Sequence, residues 1–265
     1  MSFHFTRIAA ACLAGGAALL VVSAAAAQVG SPHNDWRRVN RSSVNGGERY
    51  ASPQSFAFEA RFGAYFPGVD EEFSGGGAGP YGRTFGDDNL FYFGLELDWL
   101  PLRIPYVGAI GPGLGWGYTS ASGKGFEDGT EDRSEEDTSL TVMPMHLSAV
   151  LRVDELMRKT GVPVVPYAKA GLGMGLWYAG KASGGDDQDG VAGEGITWGT
   201  HLAFGAMLAL NWLDRRSSAQ LDESTGINHT YLFGEWMFAN LDGLGSRPQM
   251  HVGSSTWVLG LALDM

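Results

Sequence analysis

Thr256-Trp257-Val258-Leu259-Gly260-Leu261-Ala262-Leu263-Asp264-Met265 alternates without a break. Trp257, Leu259, Leu261, Leu263 and Met265 fall on one face. Val258, Gly260, Ala262 and Asp264 fall on the other. This period of two is the signature of a β-strand with one apolar face. A sheet placed in lipid must leave no edge unpaired, so the stretch predicts the strand that closes a transmembrane β-barrel. Its five apolar side chains are the expected assembly signal.

The same design recurs upstream. Phe56, Phe58, Ala60, Phe62, Ala64 and Phe66 oppose Glu59, Arg61, Gly63 and Tyr65, and Phe91, Phe93, Leu95, Leu97 and Trp99 oppose Tyr92, Gly94, Glu96 and Asp98. A third strand sets Tyr106, Ile110, Leu114, Trp116 and Tyr118 against a glycine-rich face. A fourth sets Met143, Met145, Leu147, Ala149 and Leu151 against His146, Ser148 and Arg152. A fifth (about 164–178), a sixth ending at Trp212 and a seventh (about 227–239) bring Lys169, His201 and Glu235 onto polar faces. With the closing strand these make eight, an even number as bacterial barrels require. Ten strands remain open if a long loop hides a hairpin. The expected fold is all-β, a single antiparallel transmembrane β-barrel over 56–265, with short helical turns in the connections around 154–159 and 213–226.

Alternation alone does not say which face is wet, because a soluble barrel puts its apolar face inside. The polar faces carry Glu59, Arg61, Glu96, Lys169 and Glu235 near strand centres, with Asp98 on the same face of the second strand. Inside a narrow barrel these form a lumen charge cluster, whereas each would cost about 2–4 kcal/mol near the midplane of lipid. Glycine and alanine between them suit a tight interior. Trp116, Trp198 and Trp236 near one set of strand ends, and Trp99 and Trp212 near the other, predict an aromatic girdle at each interface. Trp177 breaks strand parity, which predicts a bulge or a different register there.

Three connections, 67–89, 119–138 and 180–195, hold 16 acidic and four basic residues, while the whole chain has a net charge of −11. They occupy alternate connections and hence one end of the barrel. Longer loops face outward in outer-membrane barrels, so these acidic loops are expected at the cell surface. At the other extreme of the chain, Arg7, the apolar run Ile8 to Val22 and Ala25-Ala26-Ala27 predict a signal peptide over 1–27. Residues 28–55 are expected to form a flexible periplasmic tail, with a docking peptide as the alternative. The only cysteine, Cys12, lies in the leader. That excludes a disulfide scaffold, a thiol nucleophile and a Cys-ligated metal from the mature chain. The acidic balance argues against nucleic acid as a partner.

Signals for chemistry are sparse. Asp187-Gln188-Asp189-Gly190 resembles part of a calcium loop, but the first and twelfth ligand positions would be Gly185 and Ile196, so the motif fails. His201, His229 and Glu235 lie on adjacent polar faces without metal-ligand spacing. No metal, cofactor or catalytic residue is assigned. His146-Leu147-Ser148 resembles the His-x-Ser dyad of outer-membrane lipid A deacylases, which implies a base beside a serine nucleophile. The acidic third member of that family meets Thr160 here, and His146 and Ser148 are expected to line the lumen.

Leader, alternating strands, girdles and apolar last strand together resemble the small OmpA-like and OmpW-like barrels of Gram-negative bacteria. More narrowly, Val162-Pro163-Val164-Val165-Pro166-Tyr167-Ala168-Lys169-Ala170-Gly171-Leu172-Gly173, and the stretch from Gly226 through Tyr231 to Trp236 and Met237, are similar to an uncharacterised outer-membrane barrel family associated with myxobacteria. The resemblance implies periplasmic chaperones, the barrel-assembly machinery, outer-membrane lipid and lipopolysaccharide as partners. It implies no reaction and no oligomeric state. Three functions follow as expectations: a structural or surface-interaction barrel, a narrow channel for small or hydrophobic solutes, and a lipid A-modifying enzyme. A soluble lipocalin-like binder is the rival fold.

Overall fold

The computed structural model describes residues 55–73, 79–86, 89–126, 133–181, 187–188, 191–212, 224–245 and 249–265. The leader and tail expected over 1–27 and 28–55 lie outside them, Ser55 excepted. Eight long strands follow one another: β1 (Phe56–Tyr65), β2 (Leu90–Trp99), β3 (Gly108–Phe126), β4 (Arg133–Arg152), β5 (Val164–Lys181), β6 (Glu194–Ala209), β7 (His229–Asn240) and β8 (Ser254–Asp264). Each pairs antiparallel with its neighbours in sequence, and β8 pairs back onto β1, so the sheet closes. Closure leaves no edge along the wall, as a sheet without water around it requires.

The strands are strongly staggered. From Ala57, successive Cα partners are Asp98, Gly113, Ser148, Gly171, His201, Ala239 and Ser254. The path then returns beside Phe66, whose amide donates to the Ser254 hydroxyl at 3.1 Å. One circuit climbs roughly ten residues of β1, in keeping with strands tilted by about 35–45°.

Parity is as expected along every strand. On β1, Ala57, Glu59, Arg61 and Tyr65 are buried while Phe56 and Phe62 are exposed. On β8, Val258 and Ala262 are fully buried while Trp257, Leu259 and Leu261 are exposed. Among the described residues no helix is long and apolar enough to cross a membrane.

Several boundaries differ from expectation. Tyr106 does not begin β3. It sits in a turn with φ 68°, after a three-residue strand, Leu102–Ile104, that pairs with the start of β3. Gly108, at φ 153°, lets the chain pass against the backbone of Arg152 where a Cβ would collide. The acidic connection expected over 119–138 is mostly a raised hairpin, because pairing continues from Thr119–Val142 to Lys124–Asp137. Its tip, 127–132, lies outside the described residues. β6 ends at Ala209, and residues 210–212 form a single 3-10 turn. There the Asn211 side chain donates to the Asn228 carbonyl at 2.6 Å and accepts from the Thr230 amide at 3.0 Å. Trp177 needs no bulge: β5 keeps register through it, with Val142 and Gly195 as Cα partners. Its indole points inward and donates to Thr197 Oγ1 at 3.3 Å.

Short helices occur at both ends. α2 (Glu155–Thr160) joins β4 to β5 and stops at Gly161, whose φ of 72° is left-handed. The helix expected within 213–226 falls mostly outside the described residues. At the opposite end, α1 (Pro80–Phe85) and a 3-10 turn, Gly68–Glu72, fold over the barrel mouth. The Asp70 carboxylate accepts the Tyr81 and Gly82 amides at 2.8 and 2.7 Å. Tyr81 meets Phe66 edge-on and Phe85 at a tilt there, within an apolar cluster that includes Leu241 and Val252. A second cluster, Val165, Tyr167, Met207, Ala209, Tyr231, Phe233 and Ala262, fills part of the other end.

Residues 261–264 pair with β1 on one side and β7 on the other. Deleting Leu261 to Met265 should therefore abolish a heat-modifiable, protease-resistant barrel on refolding into lipid vesicles. A normally shifting band from the truncated chain would contradict the closure role of β8.

Candidate functional site

Strand parity puts the six predicted lumen charges inside, and the stagger brings them together. Glu59, Arg61, Glu96, Asp98, Lys169 and Glu235 are each no more than 1% exposed. The Lys169 ammonium lies 2.7 Å from Glu59 Oε2 and 3.0 Å from Glu96 Oε2. Arg61 Nη2 lies 2.7 Å from Glu96 Oε2 and 2.8 Å from Glu235 Oε1, and its Nε lies 3.3 Å from Glu59 Oε2. The Tyr167 hydroxyl donates to Glu235 Oε2 at 2.8 Å. Buried carboxylates are tolerated only with such company, because desolvation costs several kcal/mol per ion.

Two members were missed in the sequence. Arg152 Nη2 reaches Glu59 Oε1 and Asp98 Oδ2, both at 2.9 Å, and its Nη1 reaches Asp264 Oδ1 at 2.7 Å. Parity already placed Arg152 and Asp264 on inward faces, but both sit next to strand ends, where a charge reads as a turn residue. The pairing partners depend on register, which no single strand reveals.

β3 supplies room. A Cβ at Gly113, Gly115 or Gly117 would fall on Asp98, the His146 ring or the Tyr92 ring respectively. The glycines of this strand are therefore packing positions, and side chains from facing strands occupy the space. His146 uses it to lie flat on His201, with ring centroids 3.7 Å apart and planes 4° apart, and its Nε2 sits 3.2 Å from Glu96 Oε2.

Glu59, Glu96 and Asp98 offer oxygens within 4.8 Å of one another, close enough to hold an ion. The cation that stands among them is the Lys169 ammonium, which takes the place a divalent ion would need. His201, His229 and Glu235 do not converge. His201 is on the His146 stack, Glu235 is on Arg61, and His229 stacks on Tyr231. Ser148 is buried on the inner face with His146, and its hydroxyl has no hydrogen-bond partner among the described residues.

The outer face is apolar and aromatic. Trp99 stacks with Phe56 at the end where α2 lies, and Trp198, half exposed, stands toward the other end. Trp116 and Trp236 lie further into the band than a rim position, partnered with Leu95 and Met145, and with Phe204 and Trp257. The Trp212 side chain lies outside the described residues. At the mouth, burial together with the Asp70 carboxylate pushes the Tyr81 phenol up to about 12, which keeps it protonated in its apolar setting.

No protein-family model and no characterised protein matches the sequence. Solved structures with a similar outline include the following three. Ail, the attachment invasion locus protein of Yersinia pestis, in complex with the heparin analogue sucrose octasulfate, is 12% identical over 80% of this chain and 97% of that one, with a TM-score of 0.41. The N-terminal β-barrel domain of Pseudomonas aeruginosa OprF is 11% identical over 81% and 100%, with a TM-score of 0.35. The outer membrane enzyme PagL is 13% identical over 79% and 99%, with a TM-score of 0.38. Likeness of this degree adds no argument, and the barrel rests on its own strand pairing.

Lys169→Met should destabilise the barrel by about 3–5 kcal/mol, since it takes a cation from two buried carboxylates and leaves them to Arg61 and Arg152. Urea unfolding from vesicles measures this. Adding Glu59→Gln to that variant should restore part of the loss. A single-variant loss below about 1 kcal/mol, the ceiling for an exposed pair, would show that the interior is wet.

Proposed function

We propose that this chain is an integral outer-membrane β-barrel of a Gram-negative bacterium with a structural or surface-interaction role. The observation that carries this is the inversion of polarity: ions and small residues fill the inside while phenylalanine, leucine and tryptophan cover the outside. A soluble barrel has the reverse arrangement. The end bearing the β1–β2, β3–β4 and β5–β6 connections holds the acidic residues and faces the cell surface in this proposal. The end bearing α2 faces the periplasm. Outer-membrane lipid and lipopolysaccharide surround the wall. Periplasmic chaperones and the barrel-assembly machinery deliver it, recognising Trp257, Leu259, Leu261, Leu263 and Met265 on the outer face of β8. Kinship with the myxobacterial barrel family rests on residues 162–173 and 226–237 alone.

A conducting role has less support than a closed one. Arg61, Lys169, Glu59, Glu96 and Glu235 occupy the middle of the interior, and apolar clusters occupy both ends. Eight strands leave an interior just wide enough for side chains to fill. A lipid-modifying role has less still. A serine nucleophile for lipid acyl groups must meet lipid, whereas Ser148 is 3% exposed and faces inward.

Refolded protein in planar bilayers should show no steady discrete conductance, and a reproducible single-channel step would favour the narrow channel instead. In a host expressing the protein, His146→Ala and Ser148→Ala should each leave lipid A acylation as the unsubstituted chain leaves it. Loss of an acyl-chain change in either variant would assign catalysis to the pair.

A further inference from the structure

On the outer face, one stretch of β4 and β5 carries alanines where other rows carry bulky side chains. Ala149 and Ala170 are direct Cα partners on β4 and β5, and Ala168 lies between Leu151 and Phe204 in the next row. With Ile110, Leu151 and Phe204 as walls, these alanines floor a groove of about 240 Å³. Equivalent rows elsewhere carry large aromatic pairs such as Phe62 with Phe93 and Trp236 with Trp257.

A cationic rim lies at the end of the groove's floor strands. These two strands, β4 and β5, are joined by α2, so the helix lies at the groove's end. Arg158 and Lys159 are exposed in the last turn of α2. Arg103, 43% exposed at its side chain, lies 2.9 Å from Asp154, and Lys159 lies 3.5 Å from Glu155. Among the described residues these two pairs leave Arg158 as the surplus charge at this rim. Tyr106, 83% exposed, projects from its left-handed turn, and the Lys159 ammonium sits 4.4 Å from its ring centroid. Exposed aromatic rings beside cations mark the depth of lipid headgroups.

We propose that this groove and rim bind one anionic glycerophospholipid, with an acyl chain on the alanine floor and the phosphate at Arg158 and Lys159. The site rests on the outer-membrane proposal, in which α2 faces the periplasmic leaflet. Apolar shape selects a single chain, and the surplus cation selects a negative headgroup over a zwitterionic one. Lipid A is not the occupant, because its phosphates lie at the opposite surface.

Native mass spectrometry of refolded, delipidated protein, titrated separately with phosphatidylglycerol and phosphatidylcholine, tests this. The unsubstituted chain should retain one phosphatidylglycerol. Ala149→Phe with Ala170→Phe should lower that retention about tenfold, and Arg158→Gln with Lys159→Gln, which removes both phosphate contacts, should lower it by about tenfold or more. The rim variant should bind phosphatidylcholine as the unsubstituted chain does. Heat-modifiability and vesicle insertion of the same samples separate the two levels of the argument. Failure to insert overturns the membrane assignment. Insertion with lipid retention unchanged in both variant pairs overturns the site alone, as does a second copy of the chain cross-linked across the groove.

Discussion

A carboxylate inside a barrel needs a cation beside it, and the packing of this molecule follows from how that demand is met. Glu59, Glu96, Asp98 and Glu235 are held by Arg61, Arg152 and Lys169, whose donors lie 2.7–2.9 Å from their nearest carboxylate oxygens. These side chains come from β1, β2, β4, β5 and β7. His201 adds β6 and Asp264 adds β8, while β3 contributes the bare glycine face that makes room. Every strand therefore takes part. A slip of one residue would exchange inner and outer sets along a strand. It would set ions against lipid at about 2–4 kcal/mol each near the midplane. Desolvation offsets much of the attraction between the pairs.

The two ends of the barrel are finished differently from its middle. Toward the mouths apolar clusters join the ion pairs, and at the α2 end Arg152 still pairs with Asp98 and Asp264. At one end the Asp70 carboxylate gathers α1 and seats Tyr81 beside Leu241 and Val252. At the other, Tyr167 belongs to both systems: its ring meets Phe233 edge-on while its hydroxyl reaches Glu235. Charges through the middle and apolar clusters toward the ends are what favour the proposed scaffold or contact surface over a conduit.

What could be read in the sequence was what a period of two encodes. Eight strands, their inner and outer faces, and the six central charges follow from alternation in Phe56 to Tyr65 or Leu90 to Trp99 without any knowledge of neighbours. What could not be read depends on neighbours. Thr119 to Phe126 and Arg133 to Thr138 contain serine, glycine and acidic residues that suit a loop. They pair because each row of one strand faces a matching row of the other, as with the Ser120 and Thr141 hydroxyls 3.2 Å apart. Trp177 looked misplaced because large aromatics were assigned outward, yet the β5–β6 register leaves Gly195 opposite it and so makes space within. Arg152 was visible on the correct face but carried no sign of its three partners, which belong to β1, β2 and β8.

The closing strand shows how these levels join. Its backbone is stitched on both sides: the Met265 amide donates to Phe56 at 2.8 Å and the Asn228 amide donates to Asp264 at 2.9 Å. Its side chain at Asp264 meets Arg152 from β4, on the far wall of the interior. An unclosed sheet would leave β1 and β7 with unpaired edges and would also deprive Arg152 of one carboxylate. Backbone pairing and charge compensation are then satisfied in the same event, and neither is complete without the other. The alternation of residues 256–265 thus has two purposes: the outward leucines suit the strand to lipid, and the inward aspartate ties it to the ions that set the register of the rest.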